Sequence, residues 1–143
     1  MHDWPASQAH FDTFRDRHPS ARYVVTGFVA RDGEGRATTL GRNGSDYSGA
    51  IFGALADAAE VHIWTDVDGV FTTDPRLAPA ATCLERMSYE EAMELAHFGA
   101  KVLHPSTLAP VRDPGIPVRV RNTFAPDGEG TLATIADEIE ITD

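Results

Sequence analysis

Apolar positions along this chain switch between strand-like alternation and helical spacing, and each switch marks the edge of an element. Tyr23 to Ala30 is rich in β-branched and aromatic residues and reads as a buried strand. Asp32-Gly33-Glu34-Gly35 is a turn signal, so Ala37 to Leu40 is expected to return as the second arm of a hairpin. From Asp46 to Ala59, residues Ala50, Ile51, Ala54, Leu55 and Ala58 recur at helical spacing, with Ser45 as the natural N-cap. Val61 to Thr65 follows as a short buried strand. The loop Asp66 to Pro79 is rich in Asp, Gly and Pro and has room for a small hairpin around Phe71.

Ser88-Tyr89-Glu90-Glu91 is a capping box that opens a helix running through Phe98 and stopping at Gly99. Pro105 suits the first position of a helix over Ser106 to Arg112, which ends before Asp113-Pro114-Gly115. Pro117 to Arg121 alternates as a strand should, and the segment from Thr131 adds one more strand before the acidic run Asp137 to Asp143. Met1 to Ser20 is polar, with Phe11 and Phe14 at helical spacing after Ser7 as a possible cap, and reads as a short surface helix or a tail. Strands alternating with helices predict an α/β fold, a mostly parallel sheet with helices on both faces. The expected organisation is an N-terminal helix or tail over 1–22, one domain over 23–136 and an acidic tail over 137–143.

A length of 143 residues, with 42% hydrophobic and 24% charged residues, suits one compact globular domain. No apolar stretch approaches the ~20 residues that cross a bilayer. Asp3, His10, Asp12, Arg15, Asp16 and Arg17 interrupt the N-terminal segment, so a secretory signal is not expected and the cytoplasm is the expected compartment. The single cysteine, Cys83, reads as a small buried hydrophobe. A net charge of −10 argues against nucleic acid as a partner, because a phosphate backbone needs a basic surface. A nucleotide is a different matter: a few basic groups at one site, with a metal ion, can hold a triphosphate. Arg42, Arg76 and Lys101 lie beside glycines or loop signals and are the candidates.

Gly41-Arg42-Asn43-Gly44-Ser45-Asp46 delivers a basic fork, small residues, a hydroxyl and a carboxylate to the mouth of a helix. A helix N-terminus presents unpaired amides and the positive end of the helix dipole, which attract phosphate or carboxylate. Arg42 offers a planar donor fork suited to a carboxylate, and Asp46 is placed to organise a lysine or metal around a transferring phosphate. The alternative is a plain strand-to-helix turn with Ser45 and Asp46 as caps, and so short a Gly-rich pattern does not separate the two. Thr65 and Asp66 emerge at the carboxyl end of a strand, where ligands of open α/β sheets bind; a polar turn is the alternative there. Asp68-Gly69 also looks like the start of a calcium loop, but no terminal Glu follows at the required spacing. Lys101 follows a helix-ending glycine and could reach phosphates as a mobile point charge, or be one more solvated surface lysine. His104 before Pro105 reads as structural, and His97, the remaining histidines and Cys83 show no metal-ligand spacing.

Taken together and in order, these motifs resemble the aspartokinase branch of the amino acid kinase family. The resemblance runs from about Tyr23 to Leu132 and includes Val25-Thr26-Gly27-Phe28, Leu40 to Ser48, Ile63 to Val70, Thr73-Asp74-Pro75-Arg76, Met87 to Leu95, Phe98-Gly99-Ala100-Lys101-Val102-Leu103-His104-Pro105, Ile116-Pro117-Val118 and Gly130-Thr131-Leu132. Asn43 and Arg121-Asn122-Thr123 look most like the members fused to homoserine dehydrogenase. The resemblance implies the amino-acid kinase (carbamate kinase-like) fold, C-terminal half only. It also implies transfer of the γ-phosphoryl of ATP, with Mg²⁺, to the side-chain carboxylate of L-aspartate, giving 4-phospho-L-aspartate at the entry to lysine, threonine and methionine biosynthesis.

By that resemblance Arg42, Asn43, Gly44 and Ser45 hold the aspartate, Phe28 lines its pocket, and Asp46 and Lys101 serve the transfer. Thr65, Asp66, Phe71, Arg76, Lys101 and Val102 meet the nucleotide, with Phe71 standing where a tyrosine is often found. No Lys-Phe-Gly-Gly motif, which the family carries in its N-terminal half, precedes Tyr23. The chain is therefore expected to be a nucleotide-binding half that is inactive alone, self-associates or pairs with the other half, and binds neither nucleic acid nor membrane. A non-catalytic binding or interaction module and a half-enzyme that needs a partner chain are the competing readings.

Overall fold

Small residues on one helix face let that helix press onto a strand, and the rest of the architecture follows from this contact. The computed structural model describes residues 3–20, 22–97 and 103–136. Its elements run α1 (Trp4–Arg17), β1 (Val29–Arg31), β2 (Ala37–Thr39), α2 (Gly44–Leu55), β3 (Val61–Thr65), β4 (Arg86–Ser88), α3 (Tyr89–His97), α4 (Pro105–Arg112), β5 (Val118–Asn122) and β6 (Thr131–Thr134). Strands β1 and β2 form an antiparallel hairpin, and the other four form a sheet in the order β3-β5-β6-β4. Within it β3/β5 and β4/β6 are parallel and β5/β6 antiparallel. The α/β class expected from the sequence stands, with a mixed sheet whose parallel pairings predominate.

Register explains the core. Val61, Val118, Ala133 and Met87 form one row across all four strands, with Ile63 beside Val120 in the next row on the same face. These side chains join Ala50 of α2, Ala92 of α3, and Leu108 and Val111 of α4 in one buried cluster. Gly53 of α2 meets β3 so closely that a Cβ there would overlap Val61 Cγ2. Tyr89 is fully buried, and its hydroxyl donates to the Ile116 carbonyl at 2.6 Å, which satisfies the polar end of a large apolar body.

The opposite pleat of β3 and β5 is polar. Arg119 Nε donates to Glu60 Oε1 at 2.7 Å, and His62 Nε2 lies 2.6 Å from the same oxygen. Arg121 stacks over Trp64 at 5.0 Å and donates to the carbonyls of Pro126 and Gly128. Helices α2, α3 and α4 supply side chains to the cluster on the apolar pleat, while His62 and Trp64 on the opposite pleat of β3 are exposed. Alternation of Val-His-Ile-Trp is the physical reason, since only one side of such a strand offers apolar surface.

Several predicted boundaries agree with the structure; α2 stops at Leu55 rather than Ala59, the helix end expected at Phe98–Gly99 lies outside the described residues, and the remaining differences have causes. Helix α1 starts earlier than Ser7, because the Asp3 carboxylate caps it by accepting from Ala6 N at 3.0 Å and Pro5 suits the first turn. Helix α2 begins at Gly44, so Ser45 lies inside its first turn rather than at the cap; Asn43 is the N-cap. Of Tyr23 to Ala30 only the end is strand: among the described residues β1 pairs with β2 alone, and Val24 is fully exposed. An apolar β-rich run needs a neighbouring strand to become one. The pairing expected near Phe71 exists as a bridge to Cys83, flanked by Thr72 N–H to Thr82 O and Leu84 N–H to Val70 O.

The capping box closes as written in the sequence: Glu91 N donates to Ser88 Oγ at 3.1 Å, and Ser88 N to Glu91 Oε2 at 2.8 Å. Ser88→Ala removes one half of this exchange. It should lower stability by about 1 kcal/mol, read as a fall of roughly 3 °C in melting temperature for a domain of this size; an unchanged melting temperature would mean that Ser88 caps nothing of consequence.

Candidate functional site

Three left-handed backbone positions shape the mouth of α2: Phe28 at φ 72°, Gly41 at φ 78° and Asn43 at φ 56°. Gly41 takes this conformation freely, whereas Phe28 is a bulky residue in a region that such side chains rarely occupy. The chain enters α2 through a turn in which Gly44 N donates to Gly41 O at 3.1 Å and Tyr47 N to Asn43 O at 3.0 Å. No acceptor for the amides of Ser45 and Asp46 occurs among the described residues, so both are available to an anion. The Asn43 side chain makes no capping bond, and Arg42 is exposed with no ion pair among the described residues. The Phe28 ring covers Gly44: a Cβ on that glycine would stand 2.8 Å from Phe28 Cδ2 and 3.1 Å from Leu40 Cβ. Arg42, Asn43, Gly44, Ser45 and Asp46 thus follow one another through the entry to α2, and the Phe28 ring lies against Gly44.

Ser48 joins Phe28 to this entry and was given no role in the sequence reading. It is buried, accepts from Phe28 N at 2.7 Å and donates to Gly44 O at 2.6 Å. Its place one helical turn after Gly44 is the signal that could have found it. Asp46 is half-buried in the first turn, and burial pushes its carboxyl above the ordinary value of 3.8. The helix dipole favours a carboxylate there, but the net shift is upward, so desolvation outweighs it.

The turn over 56–60 reverses the chain between α2 and β3, and Gly53 meets Val61 across that reversal. Helix α2 is about 18 Å long and β3 about 16 Å, so the mouth of α2 and the carboxyl end of β3 fall at the same end of the layer. Thr65 and Asp66 stand at that end, with Thr65 Oγ1 3.3 Å from Asp66 Oδ1. Thr123 N donates to Thr65 O at 2.8 Å, and Asn122 Nδ2 to Asp68 Oδ1 at 2.7 Å, tying the ends of β3 and β5 together. Phe71 is partly buried in its bridge to Cys83. Arg76 is held within its own loop by Asp74, through Nη2–Oδ2 at 2.8 Å and Nε–Oδ1 at 3.1 Å, and this carboxylate holds its pKa above the ordinary value. Lys101 and Val102 lie outside the described residues. His104 caps α4, its Nδ1 accepting from Ser106 N at 3.2 Å, which is the structural role its sequence context suggested. Among the described residues no cluster of His, Cys, Asp and Glu is built to hold a metal ion, and no helix is long and apolar enough to cross a membrane.

A mixed α/β sheet with helix α2 lying along β3 is the fold that comparison with known proteins identifies. The sequence profile of the Amino acid kinase family matches residues 5–122, and the chain belongs to that family. Within the family its likeness is to aspartokinases. It is 45% identical over 130 residues to the chloroplastic bifunctional aspartokinase/homoserine dehydrogenase 1 of Zea mays, covering 91% of this chain and 14% of the relative. The crystal structure of E. coli aspartokinase III in complex with aspartate and ADP superposes with a TM-score of 0.85 at 41% identity, over 93% of this chain and 30% of that one. Clostridium acetobutylicum aspartate kinase gives a TM-score of 0.88 at 34% identity, over 99% and 32%. The chain thus spans less than a third of the length of these relatives.

Two substitutions test the geometry of the mouth. Because the folded pKa of Asp46 is raised, its stabilising contribution is complete below 3.8 and is lost as pH rises through the folded value. Asp46→Asn should accordingly raise the melting temperature at pH 7 and leave it unchanged at pH 3; equal melting temperatures at both pH values would refute the buried carboxylate. Gly44→Ala should push the Phe28 ring aside, seen as a change in its aromatic proton shifts, and weaken a carboxylate ligand of the mouth by roughly tenfold. Unmoved ring signals would show that the mouth has slack to spare.

Proposed function

We propose that this chain is the aspartate- and nucleotide-receiving half of an aspartate kinase, which moves the γ-phosphoryl of ATP to the side-chain carboxylate of L-aspartate and yields 4-phospho-L-aspartate. The observation that carries this reading is the mouth of α2, where the amides of Ser45 and Asp46 and the side chains of Arg42 and Asn43 have no partner among the described residues and the Phe28 ring lies against Gly44. Such a mouth suits a small dicarboxylate: the guanidinium takes one carboxylate in two parallel bonds, and the helix amides face the other. The bound aspartate and ADP named for the E. coli relative support the same reading.

Residue roles follow from position. Arg42, Asn43, Gly44 and Ser45 hold L-aspartate and Phe28 closes its pocket. Asp46 organises the centre of transfer. Thr65 and Asp66 meet the nucleotide at the carboxyl end of β3, together with Phe71, Arg76, Lys101 and Val102; Arg76 shares its fork with Asp74 while doing so. Mg²⁺ bound with the nucleotide would supply charge neutralisation, and Asp46 and Asp66, which share one end of the layer, are the carboxylates that would hold it. An ionised acceptor carboxylate needs no general base, so the protein contributes positioning and electrostatics.

Residues 23–136 form the receiving half, and α1 braces it: Gln8 Nε2 donates to Leu55 O at 3.0 Å, and Phe11 packs on Phe52. The exposed apolar positions Val24, Val25 and Val29 support association with the remainder of a longer kinase or with a second copy. The cytoplasm is the compartment we assign, and lysine, threonine and methionine synthesis the pathway.

Calorimetric titration with MgADP and with L-aspartate, followed by a coupled ADP-release assay, tests the proposal. The chain should bind MgADP without turnover. Mixing with a separately produced N-terminal half carrying Lys-Phe-Gly-Gly should yield turnover that Asp46→Asn abolishes. Failure to bind nucleotide, or turnover indifferent to Asp46→Asn, would reject it.

A further inference from the structure

Phe28 sits at the apex of a γ-turn: Val29 N donates to Gly27 O at 2.9 Å, and the apex residue has φ 72°. This positive-φ form is the rare and strained kind, and strain at a bulky residue persists only where the surroundings over-determine it. Two bonds do so here. Leu40 N donates to Phe28 O at 2.9 Å from the hairpin, and Phe28 N donates to Ser48 Oγ at 2.7 Å on α2.

The Ser48 hydroxyl has one proton, and Gly44 O receives it at 2.6 Å. A serine bonding the carbonyl four residues back is common in helices and by itself says little. What sets Ser48 apart is the other half of its hydroxyl, which is occupied by an amide from twenty residues earlier in the chain. Phe28 N–H, Ser48 O–H and Gly44 C=O form a relay between the γ-turn and the first turn of α2, buried at its Ser48–Gly44 end and part-buried at Phe28, and such linked bonds polarise one another. The donor direction is thereby fixed, and so is the distance between the Phe28 backbone and the helix mouth.

We infer that Ser48 is a positioning residue, which locks the strained Phe28 turn onto α2 and so holds the Phe28 ring over Gly44 as the wall of the carboxylate pocket. The inference rests on the aspartate-binding reading for its purpose, but the lock itself does not. With the lock in place the ring cannot swing clear of Gly44, and the pocket is sized before ligand arrives. Without it, the γ-turn relaxes toward negative φ, the ring leaves the mouth, and the free amides of Ser45 and Asp46 face water.

Three variants and two measurements separate these statements. Ser48→Ala keeps the helix, since alanine is the best helix former, and removes the acceptor. Ser48→Thr keeps a hydroxyl that can make the same bond to the carbonyl four residues back. Phe28→Gly relieves the strain and deletes the wall. Amide hydrogen exchange at Phe28 should quicken by roughly tenfold or more in Ser48→Ala and return toward the parent rate in Ser48→Thr. Unchanged protection in Ser48→Ala overturns the lock, whatever the ligand does. In titrations, Ser48→Ala and Phe28→Gly should both weaken L-aspartate and leave MgADP unchanged. An equal loss for both ligands would make Ser48 a merely structural residue and overturn the positioning role. A parent chain that binds MgADP but no L-aspartate would instead refute the aspartate-binding reading, and the exchange rates would then decide the lock alone.

Discussion

The contact between Gly53 and Val61 is the constraint on which the rest depends. A helix can lie this close to a strand only where it presents no side chain, and α2 offers Ala50, Gly53 and Ala54 on that side. Close approach aligns α2 along β3, and alignment brings the start of the helix and the end of the strand to one edge of the layer. The groups at that edge, from Arg42 to Asp66, are there because three small residues and a valine fit together farther down. Helix α4 packs on α2 and closes the same core with Leu108 and Val111, both fully buried.

The polar pleat of the sheet has a separate task. Arg119 donates to Glu60 and the Glu129 carbonyl, and Arg121 Nη2 to the carbonyls of Pro126 and Gly128, so they bind the loop over 123–130 back onto the strand that precedes it. Arg119 holds the Glu60 carboxyl below its ordinary value of 4.5. An overall charge of −10 thus hides a local arrangement in which basic groups are consumed by structure. Arg42 differs from them in having no such engagement among the described residues, which is why it stands out as a ligand group.

Local chemistry was legible in the sequence wherever it was self-contained. The Ser88–Glu91 box, the Pro105 helix start and the hairpin around Gly33 need only nearby residues, and each forms as its pattern says. Val61 to Thr65 was legible because alternation and flanking breakers agree. Tyr23 to Ala30 was misread over most of its length, because its apolar character speaks of burial while strand formation requires a neighbour that no local pattern reveals. Ser45 was mistaken for the cap because capping preferences describe side chains, whereas α2 is started by a backbone turn at Gly41 and Asn43. The run Arg42 to Asp46 was legible as the entry to a helix, since its residues are consecutive; the tie from Ser48 to Phe28 was not, since it joins residues that only the fold brings together.

Asn43 carries one more implication, for how this position can vary over time. Its left-handed backbone, with φ 56° and ψ 27°, is comfortable for few residue types. Glycine adopts it freely, and asparagine and aspartate tolerate it better than the rest. A β-branched or aromatic replacement would be resisted by the backbone before any ligand was consulted. Drift here is therefore channelled: an exchange with glycine preserves the entry to α2 and alters only what the side chain offers, so this single site lets the mouth trade an amide for bare backbone without disturbing the helix behind it.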